Sequence, residues 1–170
     1  MTLLQIALLA FFPALMAFAA ASDLLTMTIS NRISLLLIAG FPILAIIAGM
    51  PLETVGWHLL AGVATLAIGF ALFCTGWIGG GDAKLMAATA IWLGWSHIGE
   101  YALVSALLGG GLTLAILFVR RFVLPHSLER LEWIARLHNP KNGVPYGIAL
   151  AAAGLIIYPS VALWQAGFSG

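Results

Sequence analysis

Two carboxylates stand out in this chain as candidates for acid–base chemistry: Asp23 and Asp82. Asp23 closes a long apolar stretch that reads as a helix. A carboxylate there meets the negative end of the helix macrodipole, which costs about 0.3–1 kcal/mol. A structural choice at that position would be Asn, Lys or Gly, so Asp23 stands where stability does not favour it. Asp82 precedes another apolar helix, where an N-cap aspartate would be ordinary. It also follows Gly79, Gly80 and Gly81. Three glycines give up side-chain packing and let backbone approach closely or take positive φ. A cap has no need of that, whereas a peptide strand passing beside the carboxylate does. Lys84, two residues on, either holds Asp82 ionised or supplies a topological positive charge. Two carboxylates close together in a low-dielectric site cannot both ionise, so the pair shares a proton. One then acts as base on a water, and the other protonates the scissile carbonyl or the leaving amine. This is aspartic-protease chemistry. The spacing alone does not bring the two residues together; that step is inferred.

The other chemistries have little to work with. Cys74 is a lone cysteine, and His58, His97, His126 and His138 are scattered without metal-ligand spacing. No metal and no cofactor is expected. A net charge of +1 leaves no footprint for nucleic acid. Of the remaining acids, Glu53 and Glu100 fall in short loops, and Glu129 and Glu132 in a polar segment.

The elements that must carry the aspartates are greasy. Of 170 residues, 62% are apolar and 8% charged, with a mean hydropathy of +1.09. A soluble domain has about 25% charged residues, and one this small could not hide so much apolar surface. The composition indicates an all-α integral membrane protein folded as a single polytopic domain. Six transmembrane helices are expected: Leu3–Ala21, Ile33–Gly49, Val55–Thr75, a short Lys84–Trp95, Ile98–Val119 and Tyr146–Gln165. Turn residues separate them, including Met50-Pro51 and the Pro140 to Pro145 segment. The first stretch lacks a basic n-region and is long for a signal peptide, so it reads as a span.

Charge sets the orientation. Arg32, Lys84, Arg120, Arg121, Arg130, Arg136 and Lys141 all fall in loops 1–2, 3–4 and 5–6. The positive-inside rule places those loops in the cytoplasm and both termini outside. Loop 5–6 is the long one. Ser127 could cap a helix running to about Leu137, with Leu128, Leu131, Ile134 and Ala135 on one face. That helix reads as an amphipathic anchor on the bilayer surface; a lid over substrate is the other use for it.

These residues resemble a known family. Gly79-Gly80-Gly81-Asp82 is a GxGD motif of the membrane aspartyl proteases, and its continuation through Ala88 is similar to the second catalytic motif of prepilin peptidases. Asp23 with Ile29 and Asn31 resembles the first motif, an Asp followed by Ile-Pro-Asn. Val144-Pro145-Tyr146-Gly147, followed by Ile148-Ala149, resembles a third signature at the start of the last helix. The likeness spans essentially the whole chain, which resembles the short type that serves Tad/Flp pili. It implies a catalytic pair of Asp23 and Asp82, with the glycines, Lys84, Ile29, Asn31, Pro145, Tyr146 and Gly147 around them. It implies a prepilin or pseudopilin substrate whose leader is cut on the cytoplasmic side of a bacterial inner membrane, with the pilus-assembly machinery as a further partner. The chain departs from the pattern at Ser30, where the family has Pro, and lacks basic residues between Asp23 and Ile29. It also lacks the paired CxxC motifs of long prepilin peptidases, so the resemblance does not carry their N-methyltransferase activity.

Two other functions fit a six-helix bundle. A small ion- or proton-coupled transporter would use acids near mid-span and an inverted repeat, neither of which is visible. A non-enzymatic assembly scaffold would not need either aspartate.

Overall fold

The computed structural model describes residues 2–167, and among these there is no strand. The helices are α1 (Leu3–Thr26), α2 (Asn31–Ile47), α3 (Leu52–Cys74), α4 (Gly80–Leu93), α5 (Trp95–Val119), α6 (His126–Glu129), α7 (Glu132–His138), α8 (Gly147–Ile157) and α9 (Ala162–Ala166), with a 3-10 turn at Tyr158–Ser160. Three of them, α1, α3 and α5, are long and apolar enough to cross a membrane. The α2 helix and the Gly147–Ser160 stretch are apolar but shorter.

The short α4 helix explains the architecture. Its 14 residues reach only about 21 Å, less than a hydrocarbon core. It has no lipid-facing stripe either: Ala83, Leu85 and the whole run from Ala87 to Leu93 are buried. A helix apolar on every side belongs inside, and α4 is surrounded by α2, α3, α5 and α8. Small residues let α3 approach it. A β-carbon on Gly69 would stand 3.1 Å from that of Ala83, and one on Gly62 would collide with Ile91. At the end of α4 remote from Asp82, Trp92 is fully buried against Phe11, Phe12, Phe41 and Tyr158. Its indole N–H donates to the Leu37 carbonyl at 2.9 Å, as a buried indole requires. Outward-facing Leu36, Ile43, Val63, Leu107 and Leu114 are exposed, which suits a surface solvated by lipid.

Several expected boundaries move. The fourth helix starts at Gly80, so Asp82 lies in its first turn rather than ahead of it. The first continues to Thr26, placing Asp23 in its last turn, which closes on Met27 in the left-handed conformation (φ 55°). The last span is interrupted: Pro159 has no N–H to continue α8, and the chain passes through the 3-10 turn to α9. The single surface helix from Ser127 to Leu137 is two short pieces. Pro125 stands at the N-cap instead of Ser127, and Leu131 adopts an extended conformation between them.

Candidate active site

Asp82 is set by its own glycine run. Gly79 occupies the N-cap position, and its N–H donates to Asp82 Oδ2 at 3.3 Å. That is the reach-back of a carboxylate at the third helical position. Glycine matters here for space, because a β-carbon on Gly79 would stand 2.9 Å from Oδ2. Gly80 faces the Phe73 ring of α3. Burial, and next to it the Asp23 charge, push the Asp82 carboxyl up to about 6; the Gly79 N–H works weakly against them. Lys84 does not hold Asp82 ionised. Its ammonium donates to Asn31 Oδ1 at 3.0 Å, because α4 turns it outward toward the loop between α1 and α2.

Asp23 is set from far away. It is buried, with 5% of its surface exposed. The Gly147 N–H, 124 residues on, donates to its Oδ2 at 2.7 Å. This contact needs a bare backbone: a β-carbon on Gly147 would stand 2.8 Å from Oδ2 and 2.6 Å from Ile29 Cδ1. Ile29 fills the gap between the starts of α4 and α8, since its Cβ lies 3.3 Å from where a Gly81 β-carbon would be. All three sequence motifs therefore meet: Ile29 wedges against Gly81 and Gly147, and Asn31 receives Lys84. Ser30 supplies by capping what a proline would supply by rigidity. Its hydroxyl accepts the Arg32 N–H at the start of α2.

Both aspartates line one cavity of about 1060 Å³, bounded by α3, α4, α5 and the segment leading to α8. Gly79 and Tyr146 line it too, whereas Gly80, Gly81, Ile29, Asn31, Lys84, Pro145 and Gly147 do not. Tyr146 donates its hydroxyl to the Ser105 carbonyl at 3.2 Å, and its ring lies where a Gly109 side chain would be. Pro145 is buried just ahead of it. Among the described residues no three His, Cys, Asp or Glu groups gather as a metal site.

Two groups at the cavity go beyond the sequence reading. Tyr101 and Ser105 line it with buried hydroxyls that have no well-formed hydrogen bond. Their i, i+4 spacing, continued by Gly109, was the available signal. The second group is the loop after α5. Ile134 and Leu137 face Ile116 and Val119 of α5, and Arg136 donates to the Leu25 carbonyl at 2.9 Å. Arg136, Lys141, Asn142 and Gly143 line the cavity mouth, so α7 packs on the protein beside the site.

The sequence model of the type IV leader peptidase family matches residues 10–119, which is most of the chain. The match includes the Asp23 segment and the glycine run and ends with α5. Neither the curated proteins nor the solved structures contain a match.

Proposed function

The chain belongs to the type IV leader peptidase family, and on that premise we propose an aspartic endopeptidase whose catalytic pair is Asp23 and Asp82. The observation carrying this reading is that both carboxylates face one cavity, close enough for the charge of one to be felt by the other. Asp82, the carboxyl raised by burial and by its neighbour, holds the shared proton. Asp23, supported by the Gly147 N–H, is the base. It takes a proton from water, whose oxygen attacks the scissile carbonyl carbon while the Asp82 proton passes to the carbonyl oxygen. The proton gained by Asp23 then goes to the leaving nitrogen as the C–N bond breaks, and one hydroxyl proton of the gem-diol returns to Asp82 as the new carboxyl group forms.

The substrate is a prepilin or pseudopilin, cut at the junction between its leader and the apolar helix that follows, in support of Tad/Flp-type pilus assembly. The six-span topology has both termini outside, with the cut made at the cytoplasmic face of the bacterial inner membrane. Its support is the gathering of cations at the aspartate end: Lys84 on Asn31, Arg136 on Leu25 and Arg120 on Gly143. The test is incubation of the purified full chain with a prepilin, read by mass spectrometry. Release of an intact leader is expected; a transporter or a scaffold would leave the precursor whole.

A further inference from the structure

We infer that Arg120 is a positioning residue for Asp23, acting through the strap of residues 137–147 that it clamps to the end of α5. The inference rests on the peptidase reading above and deepens it.

Arg120 caps α5. A topological cation needs only to face the cytoplasm, and the neighbouring Arg121 would meet that need. The Arg120 guanidinium does more. Its Nε donates to the Leu137 carbonyl at 2.9 Å, and its Nη2 to the carbonyls of Asn142 at 3.2 Å and Gly143 at 3.0 Å. These three directed bonds use the rigid fork of Arg, which a Lys ammonium cannot reproduce. Arg120 is half-buried and stands outside the catalytic cavity.

The strap is tied to the last turn of α1 at two points, the Leu25 carbonyl and the Asp23 carboxylate itself. Upstream, Asn142 Nδ2 donates to the Arg136 carbonyl at 2.7 Å, and Arg136 Nη1 donates to the Leu25 carbonyl at 2.9 Å. Downstream, the Gly147 N–H donates to Asp23 Oδ2. The Tyr146 hydroxyl on the Ser105 carbonyl gives the strap a second hold on α5. Asp23 on α1 is thus oriented from α5, and Arg120 is the main tie. Releasing it leaves Asp82 and the α3, α4 and α5 walls of the cavity in place but frees the strap at the mouth, and with it the Gly147 N–H, to drift from the carboxylate.

The test compares full-length Arg120→Ala, Arg120→Lys and Arg121→Ala in liposomes. Leader cleavage of a prepilin gives kcat and KM, and hydrogen–deuterium exchange is followed over residues 139–148. A misplaced catalytic group lowers kcat by up to about 100-fold. That loss is expected for Arg120→Ala, chiefly in kcat, with faster exchange in the strap and a modest drop in melting temperature. Arg120→Lys keeps the charge and the stem, so it keeps the fold if Arg120→Ala does not, and it should still lose most of kcat. Arg121→Ala should match the parent. Parental kcat in Arg120→Lys, a change confined to KM, or unaltered strap exchange would each overturn the inference. The exchange readout needs no catalysis, so a failure of the peptidase reading, seen as no cleavage by the parent chain, is distinguishable from a failure of this one.

Discussion

The two aspartates are built in opposite ways. Asp82 takes its geometry from the chain within three residues of itself: a Gly79 N–H, a glycine run and the first turn of α4. Asp23 takes its geometry from a backbone N–H at the start of α8 and from an arginine reaching across from α7. The local site stands in a tightly packed frame, where α4 is held by glycine contacts to α3 and by a buried aromatic cluster. The distant one depends on a loop strapped to the end of α5. An acid–base pair of this kind divides into a half fixed by secondary structure and a half that exists only in the folded protein.

Substitutions can break that contrast unequally. Gly147→Ala should do the most damage, since its β-carbon would press on both Asp23 Oδ2 and Ile29. A kcat loss of about 100-fold in leader cleavage is expected, the scale of a small misplacement at a reacting group. Gly79→Ala crowds only the tip of the Asp82 side chain, which can swing away. Its loss should be clearly smaller, and equal losses would erase the difference between the two halves.

The pH profile sharpens the same contrast. The Asp82 carboxyl is raised to about 6, so it keeps its proton below that pH and loses it above. As the proton donor it must be protonated, so kcat/KM should decline as pH rises through about 6. The fold responds with the same sign: a raised carboxyl stabilises the folded state at low pH and loses that contribution as pH climbs. A melting temperature measured from pH 4 to 8 should therefore fall less in Asp82→Asn than in the parent.

The smallest effect is expected at the motif junction on the outside of the site. Lys84→Ala removes one exposed hydrogen bond to Asn31, worth about 0.5–1.5 kcal/mol. It should shift thermal stability slightly and leave the alkaline limb of kcat/KM where it was. A displaced limb would mean that Lys84 acts on Asp82 after all.

What the sequence made legible follows the same division. Hydropathy is a property of single residues, so the all-helical membrane class and the positions of the long helices can be read directly. The glycine run and Asp82 are neighbours in the chain, so their association needs no folding. The interruption near Pro159 has a signal in the proline itself, which the long apolar pattern hides, whereas the break of the surface helix at Leu131 has no local breaker to mark it. The strap was not readable. Arg120 and Arg136 look like topological charges until their carbonyl partners are known, and Leu25, Asn142 and Gly143 carry no sign of the roles their main chains play. Tyr101 and Ser105 share a face with Gly109, yet only the cavity shows that this face is lined with polar groups.

The central claim is that one proton is shared by two aspartates, each indispensable. Its most direct test is leader cleavage of a co-expressed prepilin by Asp23→Asn and Asp82→Asn, each alone and at matched membrane levels. The account predicts that both single variants lose at least about 100-fold, as removal of a general acid or base does. Normal processing by either variant would contradict it.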